Sequence, residues 1–261
     1  MKISDITAVI ERFAPLSLQE SYDNSGLLVG RPDDEVQRAL LAVDVTDEVL
    51  DEAEAEGCDM VITHHPVIFH PLRRLNSANQ TERCIERAIR RGIALYACHT
   101  NLDSTTDGMS FRLASMLGIG SLRLLQPSHE GALTGFGVVG ELPAPLAVEE
   151  FFERIRRVTG ARILRHSAIV ACEVSRVAVC TGSGASLMSA AKASGADVYV
   201  TADLKYNDFM TPDGAFTAVD AGHFETEYCA IDILFEVLSK NLRTFAVRKS
   251  ERSCNPTFYF V

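Results

Sequence analysis

Two hydrophobic periods alternate along this chain. "RALLAVDV" (38–45) has the short, nearly continuous apolar run of a buried strand. "TDEVLDEAEAEG" follows with helical spacing, Thr46 as N-cap, acids in the first turn and Gly57 as its stop. "CDMVIT" then predicts a strand, "TERCIERAIRRG" a helix closing at Gly92, and "IALYAC" (93–98) a third strand. This alternation predicts an α/β fold rather than an all-α or all-β one.

The pattern recurs. "RALLAVDVTDEVLDEAEAEGCDMVIT" (38–63) aligns with "RVAVCTGSGASLMSAAKASGADVYVT" (176–201), so that Arg38 meets Arg176, Gly57 meets Gly195, Asp59 meets Asp197 and Thr63 meets Thr201 at one constant offset. Further on, "ALYACHTNLD" resembles "FTAVDAGHFETE", pairing His99 with His223 and Asp103 with Glu227. The expected architecture is two related α/β/α-type units from an internal duplication. A boundary near residue 125 gives units 1–125 and 126–261. Where the final segment, "TFAVRKSERSCNPTFYFV", pairs is left open, on the first unit or the second.

Open parallel sheets bind ligands beyond the C-terminal ends of their strands. His64 and His65 end the strand over 60–63, His99 ends the strand over 93–98, and His223 follows the strand over 216–220. Asp103 lies four residues after His99, and Glu227 four after His223. That spacing puts each carboxylate one helical turn from its histidine if those loops become helices. Three strand ends carrying imidazole or imidazole plus carboxylate predict a metal site between the units. The donor set exceeds what one tetrahedral ion needs, so two ions sharing Glu227 are expected. They would bring more positive charge than Asp103 and Glu227 cancel, which suits water activation and a small anionic or nucleotide-like substrate. With no thiolate in the set, Zn, Mn, Fe and Ni are all admissible. The alternative for His99 is a hydrogen-bonded core histidine; for His223 and Glu227 it is a solvated helix start.

Composition narrows the classes. Over 261 residues, 47% are hydrophobic and 23% charged, as in ordinary globular chains. The net charge of −10, with basic residues in no run longer than a pair, argues against stable nucleic-acid binding. No apolar run is long enough for a membrane span, and "MKISDITAVIERFAP" reads as neither signal nor transit peptide, so a cytoplasmic address is expected. Seven scattered cysteines without a CxxC are expected to be reduced.

"YDNSGLLVG" (22–30), "VITHHP" (61–66), "HTNLD" (99–103) and "GHFETE" (222–227), in this order, resemble the GTP cyclohydrolase I type 2 homologues, or NIF-three-like proteins, in their short form. The resemblance covers essentially the whole chain. It implies a dinuclear centre with His65 and Asp103 on one ion, His64 and His223 on the other, and Glu227 bridging. It also implies a toroidal homohexamer. The function expected is a dinuclear metal-dependent hydrolase, with Glu227 and His99 as its catalytic residues and His99 as proton shuttle; the alternative is a non-catalytic metal-binding regulatory or scaffold ring. "THH" is replaced by "TAD" (201–203) in the second repeat, so no second centre is expected.

Weaker signals flank these. Asn24 reads either as a loop residue or as a contact to metal or substrate. Asp44 reads either as an acid orienting a ligand or as part of the cap near Thr46. "TGSGAS" (181–186) lacks the lysine and the full glycine spacing of a phosphate loop and reads as a tight turn. Lys205 and Tyr206 are possible substrate contacts.

Overall fold

The computed structural model describes residues 1–260. In chain order the elements are α1 (Ile3–Phe13), β1 (Gly26–Val29), β2 (Arg38–Ala42), α2 (Asp47–Ala55), β3 (Met60–Thr63), α3 (Gln80–Arg91), β4 (Ala94–Ala97) and α4 (Thr100–Ser104). They continue with α5 (Met109–Met116), β5 (Gly120–Pro127), β6 (Gly135–Ala147), α6 (Val148–Thr159), β7 (Arg165–His166), β8 (Glu173–Ser183), α7 (Met188–Ser194), β9 (Val198–Ala202) and β10 (Thr217–Asp220). The last are α8 (His223–Glu227), α9 (Cys229–Asn241) and β11 (Ala246–Lys249). Two compact units result: Met1–Leu102 with Ala230–Val261, and Asp103–Cys229. The division therefore differs from the expected boundary near 125, which falls inside β5.

The first unit holds a sheet in the order β1-β4-β3-β2-β11, parallel except for β1. Leu40, Val61 and Leu95 on one face pack with Leu50, Ala53, Cys84 and Ala88 of α2 and α3. On the alternate positions Leu41, Ile62 and Tyr96 are also buried, and the Tyr96 hydroxyl reaches Glu11 of α1. Burial on both faces explains why these strands read as continuous apolar runs. Thr46 caps α2 by accepting from the Val49 amide, and Gly92 ends α3 in the left-handed conformation. The C-terminal segment joins this unit, because β11 runs parallel to β2 with Ala246 opposite Arg38.

The second unit's sheet runs β5-β6-β8-β9-β10-β7. Val177, Val179, Val198 and Val219 pack against Leu113, Phe151 and Ile155 of α5 and α6. On the opposite face, Ala178, Tyr199 and Ala218 pack against Met188 and Ala191 of α7. Each unit thus has helices over both faces of its sheet.

The duplication persists to single hydrogen bonds. Asp59 accepts from the amides of Gln37 and Arg38, and Asp197 accepts from those of Ser175 and Arg176. The Arg38 guanidinium donates to the Glu56 carbonyl, and that of Arg176 to the equivalent Ser194 carbonyl. In both units the repeated parallel strands, β2-β3-β4 and β8-β9-β10, are flanked by an antiparallel strand, β1 beside β4 and β7 beside β10. Among the described residues no helix is long and apolar enough to cross a membrane.

Candidate metal centre

In the first unit the chain leaves β2 after Ala42, short of the expected Val45. The Val43 amide turns to the Ser253 hydroxyl, and its carbonyl accepts from the His65 amide. This turn sets Asp44 beside His65, Oδ1 to Nδ1 at 2.8 Å. His64, fully buried, donates from Nδ1 to the Cys98 carbonyl at 2.9 Å. His99, before α4, donates from Nδ1 to Asp23 at 2.7 Å. His64, His65 and His99 form one group whose candidate ligand atoms all lie within 4.8 Å of one another.

Asp23 was not anticipated. Its carboxylate also accepts from the Asn24 and Thr100 amides and from the hydroxyls of Ser25 and Thr100. Burial alone would raise its pKa; the hydrogen bonds from His99 and Thr100, with the His99 charge and the Asn24 amide, instead hold it well below the usual carboxylate range. Asn24, the residue singled out in that turn, donates from Nδ2 to the Ile68 carbonyl at 2.6 Å and so fixes the loop after His65.

In the second unit the loop after β10 becomes α8, and His223 Nε2 lies 2.9 Å from Glu227 Oε2 across one turn. His223 Nδ1 meets Asp203 Oδ2 at 2.8 Å. Burial would lower the His223 pKa, but hydrogen bonding to Glu227 and its charge, followed by the same contributions from Asp203, push it up to about 9. A metal ion at this nitrogen would have to displace that proton. The Asp103 carboxylate lies 3.5 Å from the Thr181 hydroxyl. Gly182 has φ +61, and a Cβ there would collide with Glu227 Oε1. The glycine turn at 181–186 therefore leaves room for a carboxylate of its own chain. A Cβ at Gly184 would likewise meet the hydroxyls of Thr201 and Tyr199.

The repeat offset relates these parts. Asp203 occupies the position of His65, and Gly182 that of Asp44. Where the first unit has a histidine backed by a carboxylate, the second has a carboxylate that backs His223 and a glycine that accommodates Glu227. The alignment of "THH" with "TAD" carries this signal. Lys205 caps the short turn that follows, its amide donating to Asp208, and Tyr206 is exposed.

All four histidines share one arrangement: Nδ1 is held by a carbonyl or carboxylate, so Nε2 is the nitrogen that can offer a lone pair to a metal. This donor chemistry fits divalent transition metals.

The family model described as Duf34/NIF3 (NGG1p interacting factor 3) matches residues 1–256. The chain belongs to this family. A Clostridium perfringens relative, named as a GTP cyclohydrolase 1 type 2 homolog, is 32% identical over 93% of this chain and 93% of its own length. A Streptomyces coelicolor relative of the same name is 34% identical over 87% of this chain and 82% of its own. The crystal structure of a Staphylococcus aureus protein superposes with a TM-score of 0.91 at 26% identity, covering 100% of this chain and 99% of that one. "Homolog" in these names records kinship with an enzyme rather than a measured activity.

Proposed function

We propose that this chain is a dinuclear metal-dependent hydrolase of a phosphorylated or nucleotide-like small molecule. In this reading His65 and Asp103 hold one ion, His64 and His223 the other, and Glu227 bridges them. The observation that carries it is the shared histidine arrangement, in which a carbonyl or carboxylate holds each Nδ1 and so makes Nε2 the nitrogen suited to a metal. Two bound divalent ions would supply Lewis acidity, polarising an electrophilic phosphorus or carbon and acidifying water near neutral pH.

The remaining roles belong to the chain. Asp44 and Asp203 fix the rings of His65 and His223 and increase their basicity. Asp23 fixes the tautomer and ring plane of His99, whose Nε2 can then accept a proton from water and return it to a leaving group.

Elemental analysis of the purified chain beside Glu227→Ala tests the reading. About two transition-metal ions per chain in the wild type, falling sharply in the variant, are expected. Hydrolysis of phosphate-ester and nucleotide substrates should need metal and vanish in Glu227→Ala while the fold survives. A wild type that binds no metal after reloading with Zn or Mn would refute the proposal.

A further inference from the structure

We propose that Tyr22 and Phe69 form an aromatic wall on which the planar base of a nucleotide stacks beside His99. The proposal deepens the hydrolase reading and takes its chemistry from it, but the predicted binding does not depend on turnover.

Exposed aromatic rings carry meaning when they adjoin one another rather than stand singly. Tyr22 is 64% exposed and Phe69 38% exposed. They are far apart in sequence, yet their ring centroids lie 6.5 Å apart with planes inclined at 62°. The row continues inward, with Phe69 6.0 Å from the His99 ring, while the exposed His70 ring lies 4.9 Å from Phe69. An exposed aromatic surface therefore leads directly to a histidine of the candidate centre.

Both rings stand on pinned backbone. Tyr22 precedes Asp23, whose carboxylate is tied to His99, Thr100 and Ser25. Phe69 follows Ile68, whose carbonyl is held by Asn24 Nδ2. Adjacent residues of one turn thus fix both loops, so ordering the wall costs little on binding. Stacking on such a surface suits any base, because every base presents a π-face. The same loop carries exposed Arg73 and Arg74, of the charge that a nucleotide's phosphates require.

Calorimetric titration of the full-length chain with guanosine 5′-monophosphate, and with ribose 5-phosphate as the base-free control, tests this. The wild type should prefer the nucleotide by about tenfold or more. Tyr22→Ala and Phe69→Ala should each lose most of that preference while keeping their metal content and their affinity for ribose 5-phosphate. Tyr22→Phe should retain it. Equal affinities in the wild type, or alanine variants that keep the preference, would overturn the proposal. So would variants whose oligomer dissociates in light scattering while the preference persists, since the rings would then serve a contact between copies. A preserved, wall-dependent preference in a chain that hydrolyses nothing would support the wall and defeat the hydrolase reading.

Discussion

At Gly182 the site depends on an atom that is not there. With φ +61 and Glu227 Oε1 where a Cβ would project, Gly182→Ala meets two penalties at once. The left-handed backbone disfavours any L side chain by roughly 1–2 kcal/mol, and the methyl displaces a carboxylate that is almost wholly buried. The expected outcome is a folded variant of lower Tm whose metal content falls toward that of Glu227→Ala. Unchanged metal content would show that Glu227 tolerates displacement. At Asp23 the backbone donors decide the outcome. Both its oxygens accept hydrogen bonds from backbone amides, so the amide group of Asp23→Asn must set N–H against N–H somewhere. A loss of about 1–3 kcal/mol in chemical denaturation is expected. A change within about 0.5 kcal/mol would mean that the turn rearranges freely.

Among the elements, the C-terminal strand is fastened by a side chain of α2. Glu52 accepts from the Ser250 hydroxyl at 2.5 Å and from the amides of Glu251 and Arg252. Burial would raise its pKa; the hydrogen bonds from Ser250, Glu251 and Arg252, aided by the Arg252 charge, lower it from 4.5. A depressed carboxylate stabilises the fold fully above its unfolded value and loses that contribution as the pH falls through the folded one. Amide exchange at residues 250–253 should therefore accelerate as the pH drops below about 4.5, after correction for intrinsic rates. Glu52→Gln should already exchange faster at pH 7 and respond less to acid; identical wild-type and variant protection at pH 7 would remove Glu52 from this role. The elements themselves were legible because local patterns encode them. Thr46 and Gly92 do in the fold what their positions announced, and the aligned Asp59 and Asp197 accept equivalent backbone bonds. The histidines were legible for the same reason, each standing at the end of an apolar strand. Asp23 and Asp203 were not, because their partners lie 76 and 20 residues away and a turn aspartate looks the same whether or not it holds an imidazole.

For the whole molecule, periodicity said that there were two related units but not which residues close each sheet. β11 is a short edge strand ending in Arg248 and Lys249, a polarity that suits an edge and gives no hint of which sheet it joins. In the fold it completes the first sheet, so that unit is discontinuous, whereas Asp103–Cys229 is continuous and contains both faces of its own core. Residues 103–229 expressed alone should give dispersed amide spectra and one cooperative thermal transition. Residues 1–102 alone should not, because β2 loses its partner from Ala246 to Lys249, the Leu41 carbonyl loses the Ser250 amide, and the Val43 amide loses the Ser253 hydroxyl. The exposed parallel edge of β2 should aggregate instead. Joining residues 230–260 to 1–102 through a flexible linker should restore a cooperative transition. If 1–102 unfolds cooperatively without them, the strand is an accessory to the first sheet; if the linked chain also fails, that unit needs more of the molecule than its own sheet and helices.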